Sequence, residues 1–429
     1  MTPSAAHNAI DAVWRIESAR LIAGLARMLR DVGLAEEFAQ DALVAALEQW
    51  PQSGIPRNPG AWLMTIAKRR AIDSLRRTER LARKHEQLGR ELETAIADSD
   101  LAALADGAIE DDLLRLIFVA CHPLLSREAR VALTLRLLGG LTTAEIARAF
   151  LVAEPNVAQR IVRAKRTLSE AHVPFEVPGG DELAARLSSV LEVIYLIFTE
   201  GYAATAGDDW MRPELCEDAL RLGRILAELV PDEPEVHGLV ALMEIQASRI
   251  RTRVDANGHP ILLLDQHRAR WDQLLIRRGL ASLARAEELG TSLGPYGLQA
   301  AIAACHARAR TPGETDWQRI AALYAALADR APSPVVELNR AVAVAMAAGP
   351  AAGLAIADPL TRLPALANYH RLPSVRGDLL AKLQRFDEAR AEFERAAALT
   401  RNAWERKLLL GRAAHCAAIE HPFEPEHLS

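Results

Sequence analysis

At 429 residues the chain exceeds what one hydrophobic core spans, since cores stop growing near about 250 to 300 residues, so at least two domains are expected. Half of the residues are apolar, with 24 Gly and 22 Pro in the whole length, which excludes a disordered or collagen-like chain. The net charge of −5 hides blocks of opposite sign: nine Lys or Arg against two acids over 57–84, nine acids against Arg90 over 85–112, nine basic against four acidic side chains over 113–172, and an acidic balance beyond.

The N-terminal stretch MTPSAAHNAIDAVWRIESAR carries charge where a secretion signal needs an apolar run. No run of about eighteen apolar residues occurs anywhere, so no membrane span is expected and a cytoplasmic location is. Residues 10–49 place Leu21, Leu25, Met28 and Leu29, then Leu34, Phe38, Leu43 and Leu47, at helical spacing, with Asp31 and Gly33 marking the turn between two helices. WPQSGIPRNPG, 50–60, holds three prolines and two glycines and reads as loop; helix resumes from Ala61 to about Arg83, with Pro59 at its favoured place beside a helix start. On that helix Trp62, Leu63, Ile66, Ile72 and Leu75 pack inward while Lys68, Arg69, Arg76 and Arg77 lie on exposed arcs. The preceding loop, with Ser53, Arg57 and Asn58, is the better candidate for touching an unpaired base, since single strands are held by splayed bases in a positive groove. Residues 85–112 mix acids with alanine and Asp-Gly and read as a tether or a marginal helix.

A second helical module runs from 113 to about 172. Thr142-Thr143-Ala144-Glu145 fits the S/T-x-x-E capping box, FLVAE interrupts, and Pro155 supplies a first-turn residue for a second helix. At about 100° per residue, Val157, Ile161, Ala164 and Leu168 share one stripe, and Asn156, Gln159, Arg160, Arg163, Arg166 and Thr167 lie opposite; Lys165 points elsewhere. That is a helix-turn-helix whose second helix presents long hydrogen-bonding side chains to a major groove. The same face also fits a merely solvated helix surface. What favours recognition is the conjunction of capped helix, short turn and an outer face without acids.

Beyond 172, helices recur between PDEP, DANGHP, GPYG, APSP and AAGP breaks a few tens of residues apart, as in stacked helical hairpins. Phe386, Ala389, Phe393 and Ala396 resemble the second half of a tetratricopeptide repeat, so the region reads as TPR-like. The four cysteines, Cys121, Cys216, Cys305 and Cys416, form no C-x-x-C pair and read as reduced core thiols. The C-terminal half has no P-loop, G-x-G-x-x-G, H-E-x-x-H or G-x-S-x-G. Neither Asp265, His267 and Asp272 nor the Cys305-His306 pair is read as a metal or catalytic site, and no cofactor is expected. The fold class is all-α: a helical module over 1–84, an acidic linker over 85–112, a helix-turn-helix module over 113–174 and a TPR-like repeat domain over 175–429.

LAEEFAQDALVAALEQWP with NPGAWLMTIAKRRAIDSLRR resembles region two of bacterial extracytoplasmic-function sigma factors, and LTTAEIARAF with NVAQRIVRAKRTL resembles their region four. LLLDQHRARWD, GPYGLQAAIAACHA and PSPVVELNRAVAVA are similar to the large TPR-like extension of one group of these factors. The resemblance implies a protein that binds core RNA polymerase and promoter DNA, is not an enzyme, and carries a regulatory domain open to a protein or small-molecule ligand. It further implies that Glu37, Gln40, Asp41 and Leu43 dock on polymerase. Ser53 to Asn58 and the helix from Trp62 to Arg77 would open the minus-ten element, and Asn156, Gln159, Arg160 and Arg163 would face the minus-thirty-five element, with Thr142 and Arg166 as further DNA contacts. The family often has Asn after Ile-Ala-x where this chain has Arg69. By the same resemblance the acidic linker would lie in the polymerase's nucleic-acid channel. Two other readings fit the residues alone: a helix-turn-helix regulator that never joins polymerase, and an enzyme carried in the C-terminal half.

Overall fold

The computed structural model describes residues 3–85, 106–150, 152–179, 181–203, 211–255, 261–400 and 402–420. Among them the chain is helical with no strand, as the periodicity predicts, and it forms two compact units, 1–196 and 197–429. Residues 86–105 of the acidic linker and 256–260 of the DANGHP break lie outside the described residues, as do the side chains of Leu75 and Arg77.

In the first unit, α1 (Pro3–Leu29), α2 (Val32–Ser53) and α3 (Pro59–His85) pack together. Arg30 turns the chain with φ 53°, and Asp31 caps α2 by accepting a hydrogen bond from the Leu34 amide at 2.9 Å. The core face of α2 is made chiefly of alanines, Ala35, Ala39, Ala42, Ala45 and Ala46, with Phe38 and Trp50 as its large members. Leu34, expected in the apolar stripe, points outward, and Met28 of α1 is also exposed. Small residues let the helices approach closely, and this carries the packing that the large residues were expected to supply.

Two expectations about element bounds are corrected. Helix α2 continues through Trp50 and Pro51 to Ser53, so the loop is confined to 54–58. A proline so near a helix end removes one backbone bond and is tolerated; the helix stops at Gly54, whose φ of 82° suits glycine and whose amide bonds the Trp50 carbonyl at 2.9 Å. At the other end of the linker, α4 (Asp106–Ala120) begins within the acidic stretch. Asp112, expected to be a linker charge, is 1% exposed, with Arg115 at 2.7 Å and Arg27 of α1 at 3.3 Å. Burial pushes that carboxyl above the usual aspartate range, and the Arg27 and Arg115 guanidinium groups offset part of the cost.

α5 (Arg127–Leu137), α6 (Thr143–Phe150) and α7 (Glu154–Glu170) complete the second module, which packs on the first through Glu36 of α2. Glu36 is 2% exposed; it accepts from Arg136 Nε at 2.6 Å, pairs with the Lys165 ammonium and accepts from the Gln40 amide. Ser169 donates to Asp31 at 3.0 Å, and Arg15 pairs with Glu145 at 3.0 Å. The first part of α8 (Asp181–Tyr202) adds a further layer, with Arg186 donating to the Phe118 carbonyl and Ser189 to the Cys121 carbonyl.

The second unit stacks α9 (Pro213–Leu229), α10 (Pro234–Ala247), α11 (Gln273–Leu289), α12 (Pro295–Arg308), α13 (Trp317–Arg330), α14 (Pro334–Ala348), α15 (Pro350–Leu360), α16 (Arg371–Lys382), α17 (Phe386–Leu399) and α18 (Ala403–Glu420), each on its neighbours in the chain. α10 and α12 touch backbone to backbone: a β-carbon on Gly238 would sit 2.6 Å from the Gly297 nitrogen. Further along, Ala389, Phe393 and Ala396 of the TPR-like segment are buried as their spacing predicts, in a core with Leu338, Leu379 and Leu409. All four cysteines are buried, and burial pushes the Cys121 thiol up to about 11 and the Cys216 thiol up to about 12.

The Glu36 contact makes a stability prediction. Removing its carboxylate strands Arg136 and Lys165, both about one-fifth exposed, so Glu36→Ala should destabilise the junction by about 2–3 kcal/mol, somewhat below the loss for a fully buried pair. Hydrogen exchange at the α5 and α7 amides reads it; unchanged protection there would contradict the role given to Glu36.

Candidate nucleic-acid interface

Helix α6 is started by the reciprocal box read from the sequence. The Glu145 amide donates to the Thr142 hydroxyl at 3.1 Å, and the Glu145 carboxylate accepts from the Thr142 amide at 2.7 Å and from its hydroxyl at 2.9 Å. The Thr142 side chain is thus engaged locally while remaining exposed. Burial alone would push the Glu145 carboxyl up, but the Thr142 donors and the Arg15 guanidinium hold it below the usual glutamate range. After the turn, α7 starts one residue earlier than Pro155, at Glu154, with the proline in its first turn.

Val157, Ile161, Ala164 and Leu168 are all buried, so the inward stripe of α7 stands as read. Asn156, Gln159, Arg163, Arg166 and Thr167 are exposed and Arg160 is half-buried. Arg160 lies near Glu128, whose carboxyl is held low chiefly by its own backbone amide and the Ser126 hydroxyl, with Arg160 adding a smaller part. Arg166 is tied to Glu170 at 2.6 Å along the helix. Lys165 turns away from this face to reach Glu36. Asn156, Gln159, Arg160 and Arg163 border a groove of about 400 Å³ whose other wall is Leu124, Leu125, Ser126 and Ala129. Sequence reasoning missed that wall, because the α4–α5 turn meets α7 only in the fold.

Arg57 is exposed, but the Asn58 carboxamide oxygen accepts from the Ala61 amide at 3.0 Å and so caps α3, and the Ser53 hydroxyl donates to the Gln49 carbonyl at 2.9 Å. Arg69 and Arg76 are exposed and Lys68 is half-buried. Arg70 is held on α2, donating to the Asp41 carbonyl at 2.8 Å. Trp62 is half-buried rather than core, edge-on to the buried Trp50 with ring centroids 5.2 Å apart.

The α2 residues assigned to polymerase fall on one outer face. Glu37 is exposed and Asp41 half-buried; Gln40 and Leu43 sit at the margin, half-buried. Leu34 and Val44, at i−3 from Glu37 and i+3 from Asp41, are 40% and 49% exposed and extend that stripe with apolar surface. Leu34 was expected in the core stripe, and Val44 was not singled out in the sequence.

Among the described residues no group of three or more His, Cys, Asp or Glu is placed to hold a metal ion. Asp272 caps α11 through the Leu274 and Leu275 amides. No helix among the described residues is long and apolar enough to cross a membrane.

The capping box predicts a pH dependence. A carboxyl held low in the fold contributes stability that is present above the ordinary glutamate range, near 4.5, and fades as pH falls through its lowered value. Glu145→Ala should therefore cost about 1 kcal/mol at neutral pH and progressively less in acid. Thermal unfolding compared at neutral and acidic pH checks this; a pH-independent difference between the two proteins would contradict it.

Comparison with known proteins fits this geometry. Residues 16–81 match Sigma-70 region 2 and residues 115–168 match Sigma-70, region 4, while residues 186–287 match a family of unknown function, DUF6596. The uncharacterized protein R00370 of Rhizobium meliloti (strain 1021) is 46% identical over 397 residues, 92% of each chain. The ECF RNA polymerase sigma factor SigK of Mycobacterium ulcerans (strain Agy99) is 33% identical over 150 residues, 34% of this chain and 75% of SigK. The probable ECF RNA polymerase sigma factor SigI of Mycobacterium tuberculosis (strain ATCC 25618 / H37Rv) is 26% identical over 175 residues, 40% of this chain and 58% of SigI. No solved structure matches. With regions two and four in order on its two basic helical modules, the chain belongs to the extracytoplasmic-function sigma factors, which bind core RNA polymerase and direct initiation at particular promoters.

Proposed function

We propose that the division of labour follows the exposed faces: the module over 1–84 docks on polymerase and opens the minus-ten element, and the module over 113–174 reads the minus-thirty-five duplex. The observation that carries the reading is the polarity of α7, four buried apolar residues backing an outer face of Asn156, Gln159, Arg160 and Arg163. Arginine offers a bidentate fork to guanine, and Asn or Gln pairs with adenine in the same way. The family acts by binding rather than by covalent chemistry, so what the chain must supply is complementary surface. Opening DNA without ATP requires that captured single-stranded bases replace stacking lost at a few kcal/mol per step. Arg57, Arg69 and Arg76 supply the positive surface for that capture on α3.

The stripe Leu34, Glu37, Asp41 and Val44 is assigned to the polymerase, since it joins acids to uncovered apolar side chains. The C-terminal helical array is assigned a regulatory role, because stacked hairpins present extended surfaces suited to recognition.

Promoter binding tests the first assignment. Arg160→Ala and Arg163→Ala should each weaken duplex binding by about 1–3 kcal/mol if they make bidentate base contacts, and Lys165→Ala, whose ammonium faces Glu36, should matter less. Equal losses at all three in a gel-shift titration would contradict this orientation of α7. Val44→Glu should reduce capture of core polymerase at least tenfold and lower run-off transcription in step, with helicity unchanged. Full retention of core binding by that variant would remove α2's outer face from the interface.

A further inference from the structure

Buried cations elsewhere in this protein meet acids: Arg212 pairs with Glu200, Arg136 with Glu36, and Arg224 with Glu244 at 2.9 Å. Among the described residues Arg249 and Arg268 of the second unit depart from that rule. Arg249 and Arg253 follow the end of α10, Arg268 and Trp271 lie in the turn before α11, Tyr202 ends α8 and His306 is in the last turn of α12. The Arg249 guanidinium carbon lies 5.7 Å from the centres of both the Tyr202 and Trp271 rings. Arg253 is stacked 3.6 Å above Tyr202, and Arg268 lies 5.4 Å from Trp271. Three guanidinium groups thus share two aromatic rings.

The hydrogen-bond partners of Arg268 are neutral: the His306 carbonyl at 2.9 Å, the Ala309 carbonyl at 3.2 Å and the Thr315 hydroxyl at 2.9 Å. Among the described residues neither Arg249 nor Arg268 forms an ion pair; Glu314 acts on Arg268 only from a distance, and its carboxylate accepts from the Arg310 amide. Burial and the charge of Arg249 both disfavour the Arg268 cation, and burial with these two arginines pushes His306 down to about 4, so its ring is neutral at physiological pH. Four buried nitrogens here have no hydrogen-bond partner among the described residues: Arg249 Nε, Arg268 Nε, Trp271 Nε1 and His306 Nδ1. Arg268 is 6% exposed and Trp271 3%, whereas Arg249 and Tyr202 are half-buried and reach the surface.

Burying the Arg268 cation beside Arg249 with no acid paired to either among the described residues costs several kcal/mol, and cation–π contact returns only about 0.5–2 kcal/mol each. An anion entering from outside supplies the missing compensation. We propose that Tyr202, Arg249, Arg253, Arg268 and Trp271 form a binding site for a small molecule carrying an oxyanion on a flat ring. The guanidinium forks take the carboxylate or phosphate oxygens, and Tyr202 and Trp271 take the ring. A small ligand fits better than a protein surface, because Arg268 and Trp271 are almost wholly buried and only Arg249 and Tyr202 are partly exposed. The site belongs to the second unit alone and stands independently of the roles given to α2, α3 and α7.

The test is calorimetric titration of the full chain with three probes: inorganic phosphate, benzoate and AMP, each against sodium chloride at equal ionic strength. Saturable binding of benzoate or AMP tighter than phosphate is expected, and which of the two binds separates a carboxylate from a phosphate ligand. Arg249→Gln should weaken binding at least tenfold, Arg249→Lys should give an intermediate loss, and Arg285→Gln on the surface of α11 should change nothing. Circular dichroism checks the fold of each variant, and the lysine variant serves should the glutamine variant not fold. The proposal is overturned if no probe binds beyond chloride, if the folded Arg249 variants bind as the unaltered chain does, or if only a polyglutamate peptide binds through Arg249, which would assign the cluster to an acidic protein partner.

Discussion

The buried carboxylate of Glu36 ties α2 of the first module to two helices of the second. Glu36 leaves the solvent-facing side of α2 and is closed over by Arg136 of α5 and Lys165 of α7, side chains 100 and 129 positions away. An isolated buried carboxylate is costly, and Arg136 and Lys165 both supply the opposite charge. That pairing sets which way α7 is turned. With Lys165 drawn toward α2 and Ser169 bonded to Asp31, the opposite edge, carrying Asn156, Gln159 and Arg163, faces outward. The orientation of that outer face is therefore set by a salt bridge on the other side of the same helix as well as by its apolar stripe.

Much of the first unit was legible because its signals are local. The Thr142–Glu145 box and the Val157, Ile161, Ala164, Leu168 stripe each occupy a few turns of chain, and a helix wheel suffices to read them. The failures share a cause as well. Leu34 and Val44 carry the side chains of a core residue, yet the core face of α2 is made of alanine, whose burial contributes through close approach rather than bulk. Asp112 reads as a linker charge until Arg27, 85 positions earlier, is placed beside it. Pro51 looks like a break and is carried inside the last turn of a helix. Asn58 looks like a free hydrogen-bonding side chain and is spent on a cap. In each case sequence names the residue type correctly and cannot name the partner.

The second unit was legible as architecture and opaque as chemistry. Alanine-rich hairpins announce close-packed helices, and the Gly238–Gly297 contact and the burial of Ala389, Phe393 and Ala396 bear that out. No motif marks the arginine cluster, because its members come from the end of α8, two short turns around 250 and 270, and α12. Within DQHRARWD, attention goes to the histidine and the acids, whereas the fold exposes His267, uses Asp272 as a helix cap and buries Arg268 and Trp271.

Arginine does three different jobs in this protein, and environment alone separates them. Arg136 is locked against Glu36 and also donates to the Leu141 carbonyl. Arg163 is exposed on α7 with nothing beside it in the fold that neutralises it, so its five donors remain available to phosphate or base edges, at the modest cost of ordering a long solvated side chain. Arg268 is buried yet bonded only to neutral oxygens, so its charge is neither solvated as Arg163's is nor compensated as Arg136's is. The first arrangement contributes stability and the second contributes reach. The third is held in place by the packing around it, and it becomes favourable in its own right only when an anion joins it, which makes the ligand-bound form the one in which the electrostatics of the second unit close.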